Sequence, residues 1–331
     1  MNGRNVVMDD FLRRFGWGAA ERYPLPGDAS FRRYVRLAGP MGRAMLMDAP
    51  PPKEDVRPFL FIACHLVGLG YSAPKILAAD ETNGFLLLED LGDDTFTRLL
   101  AQGADEESLY WLATDLLIDL HGRGERAMPP GLPPYDDVRL LDEAALLVDW
   151  YLPEMTGVPL SAADRAAYLG LWRDLLPLAR AVPDTLVLRD FHVDNLMRLD
   201  RPGVAACGLL DFQDAVAGPL TYDLVSLLED ARRDIDPVLI RTMRERYLNA
   251  FPALDRAAFD VSWAVLAAQR HAKVIGIFTR LLRRDGKPVY LGHIPRLWRL
   301  LGAALRHPAL SDLAGWLDRH LPPSRRGTPA P

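Results

Sequence analysis

The segment Arg189-Asp190-Phe191-His192-Val193-Asp194-Asn195 sets an acid five positions before an amide, directly after the apolar run Leu186-Val187-Leu188. Sixteen residues beyond Asn195 stands a second acid, Asp211, which ends the run Gly208-Leu209-Leu210 and precedes Phe212. Three oxygen-bearing groups in such a layout suit phosphoryl transfer from ATP. One carboxylate orients the attacking hydroxyl and accepts its proton, while an amide oxygen and a second carboxylate hold magnesium against the phosphates. An Asp-x4-Asn pair alone arises often by chance. The ordered series of strand, Asp-x4-Asn, short hairpin, strand and Asp-Phe is far more specific.

These groups need a frame. Residues from about 5 to 16 carry Val6, Val7, Phe11, Leu12 and Phe15 at helical spacing. A β region follows, with strands expected over 31–37 and 44–47 and a turn at Gly39, Pro40 and Gly42. Pro50-Pro51-Pro52 stops the second strand. A helix is expected over 55–69, with Phe59, Ile62, Ala63, Leu66 and Val67 on one side and Gly70 as its stop. Two more strands, 75–79 and 84–88, lead into Glu89-Asp90-Leu91-Gly92. After residue 93 the pattern turns helical: Ser108 to His121, then near 139–152, 161–180, 220–232, 237–250, 255–282 and 294–306. The fold class is therefore α+β. The Pro-, Arg- and Ser-rich stretch 322–331 is expected to be a disordered tail.

Composition narrows the function classes. With 331 residues, 49% of them hydrophobic and 25% charged, the chain suits two packed globular domains. A net charge of −5 offers no electrostatic case for nucleic acid as a partner. The pairs Arg13-Arg14, Arg32-Arg33, Arg232-Arg233 and Arg283-Arg284 lie near acids and read as solvated faces. Cys64 and Cys207 sit in apolar sequence and read as core thiols in a reducing compartment, with no Cys/His metal cluster. Asp9 and Asp10 argue against a signal peptide, and no stretch approaches the roughly 18 apolar residues of a membrane span. A cytoplasmic protein with no membrane and no obligate protein partner is expected.

Several longer segments carry a family resemblance. They are Gly27-Asp28-Ala29-Ser30-Phe31-Arg32-Arg33-Tyr34, Met47-Asp48-Ala49-Pro50-Pro51, Leu188 to Leu196, Leu209 to Ala215, Gly218-Pro219 and Tyr222 to Asp234. Over most of its length the chain resembles the aminoglycoside phosphotransferase superfamily, which includes the choline kinases. Within it, the chain is most similar to bacterial anomeric kinases of N-acetylmuramate and N-acetylglucosamine. The resemblance implies a protein-kinase-like two-lobed fold. Residues 1–92 would form a β-rich nucleotide-binding lobe ending in a hinge, and 93–321 a mainly helical catalytic and substrate lobe. It implies ATP and Mg2+ as cofactors, Asp190 as catalytic base, and Asn195 and Asp211 as metal ligands. Asp223 would hold the catalytic loop through its backbone N–H groups, and His192 would stabilise that loop. Asp28, Ala29 and Ser30 would cap the phosphates, where an ordinary hairpin turn is the plain alternative. Glu89, Asp90 and Leu91 would present backbone to the adenine.

Two departures stand out. Relatives open the catalytic segment with His-Gly, whereas this chain has Leu188-Arg189. The third strand, Arg43 to Met47, has no interior Lys to grip the phosphates. Arg43, Lys53 or Arg32 would replace it, or magnesium and backbone would hold ATP. The missing Lys also keeps open a non-enzymatic binding module, which the intact Asp190, Asn195 and Asp211 oppose.

The implied substrate is a small-molecule sugar. An anomeric hydroxyl is more acidic than an ordinary alcohol, so an Asp suffices as its base. Asp149 and Trp150 suit hydroxyl binding and stacking on a sugar face, with core packing the alternative for the aromatic. Arg270 or Lys273 could meet a lactyl carboxylate, against the plainer reading of a solvated basic face. Arg189, Asp214 and Glu229 complete the substrate-facing candidates. Other acceptors stay open: an aminoglycoside, which would draw on Glu229, Asp230 and Asp234, a choline-like alcohol, which would need an aromatic cage, or another sugar.

Overall fold

A computed structural model describes residues 3–26 and 31–330. In chain order come α1 (Gly3–Arg14), β1 (Glu21–Pro24), β2 (Arg33–Gly39), β3 (Gly42–Asp48), α2 (Arg57–Gly68), β4 (Ile76–Asp80), β5 (Phe85–Glu89), α3 (Phe96–Ala101) and α4 (Glu106–Gly122). Then follow α5 (Asp137–Leu146), α6 (Leu152–Thr156), α7 (Ala162–Ala179), β6 (Asp184–Val187), β7 (Leu196–Arg198), β8 (Cys207–Leu209) and β9 (Val216–Pro219). The chain closes with α8 (Thr221–Leu228), α9 (Pro237–Ala250), α10 (Arg256–Asp285), α11 (Ile294–Ala304) and α12 (Ser311–His320).

The elements gather into two units, Met1–Leu116 with Val193–Ala215, and Leu117–His192 with Val216–Pro331. The division expected at residue 92 is not the one that packing makes. Residues 93–116 stay with the first unit, and so does the hairpin of β7 and β8. Leu209 N donates to Ser72 O at 2.9 Å and Arg198 N to Asp94 O at 2.8 Å. Backbone bonds over such chain separations leave no signature in local sequence.

In the first unit an antiparallel sheet runs β1-β2-β3-β5-β4. Its hairpin turn has Gly42 at φ +97°, a left-handed conformation that glycine adopts without strain. Strand alternation sends Leu37, Ala44, Leu46, Phe85 and Leu87 to one face, where they pack on Phe11, Leu12 and Trp17. Tyr34, Arg36, Met45 and Leu88 stand on the opposite face.

The second unit is built on α10, a 30-residue helix that is buried all round from Ser262 to Lys273. Asp255 caps its start, accepting from Ala257 N at 2.8 Å and Ala258 N at 3.2 Å, and Gly286 ends it at φ +65°. At Gly276 the helix touches the end of α5: a Cβ there would lie 2.3 Å from the Leu146 carbonyl carbon. Directly after Leu146 the chain makes a π-helical turn, Leu147–Tyr151. Such turns often mark functional sites.

Residues 322–330, expected as a disordered tail, are largely exposed but anchored at points: Tyr151 Oη donates to Gly327 O at 2.6 Å, and the Arg326 guanidinium lies 5.1 Å from the Trp298 ring centroid. Composition misses these few specific anchors. Cys64 is exposed on α2, whereas Cys207 is buried as expected. No helix among the described residues is long and apolar enough to cross a membrane.

Candidate active site

In the second unit β6 pairs with β9 and delivers Leu188-Arg189-Asp190 at its end. Asp223, buried in the first turn of α8, accepts from Leu188 N at 2.6 Å and from Arg189 N at 2.9 Å. Arg189 has φ +69°, a conformation costing a non-glycine residue roughly 1–3 kcal/mol unless its surroundings impose it. Its carbonyl accepts from Arg270 Nη1 at 2.9 Å, and its guanidinium pairs with Glu143. The residue is thus held at its N–H, its carbonyl and its side chain.

Asp190 follows, half-buried, with Oδ1 3.8 Å from Arg270 Nη2. Burial favours the neutral acid, but Arg270, Lys273 and His192 outweigh it and lower the carboxyl to about 2. Asp190 is therefore a carboxylate at any ordinary pH, as a proton acceptor must be. His192 Nε2 lies 3.3 Å from Arg232 Nη1, and burial together with Arg232 lowers the imidazole to about 4. A neutral His192 suits the loop-stabilising role.

Beside this loop a cavity of about 550 Å³ is lined by Arg139, Asp142, Glu143, Arg189, Lys273 and Arg280, among others. Glu143 is its hub. It takes hydrogen bonds from Arg189, from Tyr135 Oη and, at 3.0 Å, from Lys273 Nζ. These cations, led by Lys273, overcome burial and hold Glu143 at about 2.

The first unit has a cavity of about 350 Å³ of its own. Met45, Leu88 and Met197 give it apolar walls, Glu89 to Asp93 form its edge, and Asn195 and Asp211 both line it. Arg36 crosses from β2 to that edge. Its guanidinium reaches Asp90 Oδ2 and Asp93 Oδ1, each at 2.8 Å, and Gly92 O at 2.9 Å. Asn195 and Asp211 sit together because Leu210 N donates to Asn195 O at 2.9 Å. Asp211 has φ +57°, which Asp tolerates better than most residues. Arg32 lies 3.5 Å from Asp211 Oδ1 and 3.6 Å from Glu54 Oε2. An amide and a carboxylate are hard oxygen donors that fit magnesium, which takes one or two protein ligands and leaves the rest to water and phosphate. The described residues hold no cluster of three His, Cys, Asp or Glu that would suit a softer or more demanding ion.

Residues 22–260 match the family model described as "Phosphotransferase enzyme family". The chain belongs to that family. It is 38% identical to an N-acetylmuramate/N-acetylglucosamine kinase of Caulobacter vibrioides, over 98% of each chain. It is 41% identical to the protein of the same name in Pseudomonas aeruginosa, over 90% of this chain and 89% of that one. Among solved structures, a choline/ethanolamine kinase family protein from Mesorhizobium loti superposes with a TM-score of 0.63 at 14% identity, covering 96% of this chain and 99% of that one. Aminoglycoside 2'-phosphotransferase-IIIa, in its GDP complex, gives 0.62 at 13%, covering 91% and 99%. These neighbours establish the protein-kinase-like α+β fold.

In this phosphotransferase the residues singled out from sequence divide sharply. Asp28, Ala29 and Ser30 lie outside the described residues. Glu89, Asp90, Leu91, Asn195 and Asp211 line one cavity, and Arg189 lines the other. Asp149 and Trp150 line neither: Asp149 makes a two-point ion pair with Arg165 at 2.7 and 2.8 Å. Glu229 is engaged internally, accepting from Trp263 Nε1 at 2.6 Å and lying 2.7 Å from His271 Nε2. Asp214 is exposed beside Gln213. Arg270 and Lys273 are buried rather than a solvated face, and their charges already answer Asp190 and Glu143. Of the arginine pairs, Arg32 and Arg232 depart from the solvated reading, since Arg32 reaches Asp211 and Arg232 lies against buried His192.

Sequence reasoning missed Glu143, Arg36 and Glu54. Glu143 had a readable signal, since it stands on the apolar face of α5 with Leu140, Ala144 and Leu147, where an unpaired charge would be costly. Arg36 looked like the polar half of an alternating strand. Of the cations considered for the missing strand Lys, Arg43 is exposed and the Lys53 ammonium lies 4.5 Å over the Phe31 ring, whereas Arg32 reaches Asp211.

Proposed function

We propose that this phosphotransferase uses ATP and magnesium to phosphorylate the anomeric hydroxyl of N-acetylmuramate, N-acetylglucosamine or both, in cell-wall recycling in the cytoplasm. The observation that carries the substrate class is the agreement, over nearly the whole chain, with a relative of that name. The electrostatics of the second unit agree. A polycationic acceptor would need converging free acids, yet Glu229 is engaged internally and Asp234 pairs with Arg296 and Arg299. The cavity beside the catalytic loop sets Arg139, Arg189, Lys273 and Arg280 against Asp136, Asp142 and Glu143, a small excess of cations.

In this reading Asp190 is the base. The sugar O1 attacks the γ-phosphorus, the bond to the bridging oxygen of ADP breaks, and the O1 proton passes to the Asp190 carboxylate. The anchors at Asp223 and Arg270 fix where that carboxylate points. Asn195 and Asp211 are the magnesium ligands, and the metal when bound neutralises charge on the phosphates. Glu89, Asp90 and Leu91 present backbone to the adenine along the edge that Arg36 braces, and Asp28, Ala29 and Ser30 cap the phosphates. Arg32, braced by Glu54, takes the place of the absent strand Lys. Phosphorus-31 NMR of the product formed from ATP, magnesium and each amino sugar tests the reading. A sugar 1-phosphate lacking a reducing end is expected. A product that still reduces copper or mutarotates carries its phosphate elsewhere and rules the reading out.

A further inference from the structure

We infer that the cavity of about 550 Å³ beside Arg189 binds the carboxylate arm of an acidic amino sugar, with the Arg139 and Arg280 guanidiniums as its partners. This rests on the amino-sugar reading and adds to it the residues that separate an acidic acceptor from a neutral one.

Two kinds of cation line the cavity. Arg189 and Lys273 belong to the Glu143 hub, which also draws on Tyr135 and, at 3.2 Å, on Gln269 Nε2. Glu143 and, at longer range, Asp190 offset their charge. Arg139 and Arg280 have no ion-pair partner among the described residues. Asp136 accepts from the backbone N of Arg139 at 2.9 Å, as the cap of α5. The Nε of Arg280 is closed off from solvent and makes no hydrogen bond. Burial and the nearby Arg284 lower the basicity of Arg280 and outweigh Asp285, which is itself paired with Arg284. A guanidinium matches a carboxylate with two parallel hydrogen bonds, which makes an organic acid the fitting counterpart.

Position supports the same assignment. Arg270, Lys273, Ile277 and Arg280 follow one face of α10 at helical spacing, starting from the residue paired with Asp190. Arg280 lies about 15 Å along the axis from Arg270, and side chains on a helix lean toward its N-terminus, back toward Lys273. Arg139 stands one turn before Glu143 on α5, about 6 Å along that helix. A sugar whose reacting hydroxyl meets Asp190 would thus have answered charge near its ring and two unanswered guanidiniums farther out. The volume falls in the usual range for a small-molecule site.

The test compares kcat/KM for N-acetylmuramate and N-acetylglucosamine in the wild type, Arg139→Gln, Arg280→Gln and the double variant. The muramate-to-glucosamine ratio is expected to fall by about tenfold in each single variant and further in the double, a loss typical of a broken charged hydrogen bond. Arg139→Lys and Arg280→Lys should restore part of it. With wild-type enzyme the lactyl amide of N-acetylmuramate should be a poorer substrate than the acid, and the double variant should no longer tell them apart. A ratio unchanged within threefold, or two substrates declining in parallel, overturns the inference while leaving the amino-sugar reading intact. Wild-type turnover of neither sugar removes both.

Discussion

The two cavities solve opposite problems. In the first unit the walls are largely apolar, and one arginine, Arg36, braces the edge through two carboxylates and a backbone carbonyl. In the second unit the loop geometry depends on charges buried in register: Asp223 under two N–H groups, Arg270 on a carbonyl, Glu143 between Arg189 and Lys273. A common cofactor can be held by backbone and a few oxygens. A proton acceptor that must point one way needs a frame in which each charge is answered, because an unanswered buried charge is costly.

The largest effect should come from the residue that frame serves. Asp190→Asn is expected to lower kcat by about 10²–10⁴, and a loss within tenfold would deny Asp190 the role of base. Next is the hub. Glu143→Ala leaves Arg189 and Lys273 unanswered and should cost about 3–5 kcal/mol of stability, read from urea unfolding. A change below about 1 kcal/mol would erase the proposed contrast between the two regions.

The same hub has a pH signature. Glu143 sits at about 2 when folded against an ordinary 4.5, so its carboxylate is favoured by folding. Its contribution is present above about pH 4.5 and is lost as pH falls toward 2. The gap in melting temperature between wild type and Glu143→Gln should therefore be flat above about pH 5 and close on acidification. A gap that widens in acid reverses the sign and refutes the assignment.

Smaller effects sharpen the frame and then the nucleotide side. Gly276→Ala forces a Cβ against the Leu146 carbonyl and should cost about 1–3 kcal/mol, measured by thermal unfolding. In the first unit Arg32→Ala should raise KM for ATP about tenfold, near 1.4 kcal/mol, with Arg32→Lys recovering much of it. Unchanged ATP kinetics in Arg32→Ala would pass the phosphate role to the backbone and the metal.

How much of this was readable depended on whether the signal was local. The helices near 161–180, 237–250, 255–282 and 294–306 were marked by spacing and caps, and each formed within a few residues of its expected span. The strand β1, the helix α3 and the helix α12 were passed over because they are short, four, six and ten residues, and give a periodic pattern little room to repeat. Asp149 and Trp150 looked suited to a sugar because acid and aromatic adjoin in sequence. In the structure both lie in the π turn, and Asp149 is paired with Arg165.

By itself the sequence determined the kinds of chemical group and their order along the chain: Asp190, Asn195 and Asp211 at strand ends and the absent strand Lys, while the resemblance implied Asp223 as the loop anchor. Chain order and residue type are local properties, and so they survive being read without a fold. Only tertiary structure decided which charges answer one another, because Glu143 meets Lys273 across 130 positions and Arg32 meets Asp211 across the greater part of the chain. Coulomb energy depends on distance in space and on the water removed around each pair, and neither quantity is written in the spacing of residues along a line.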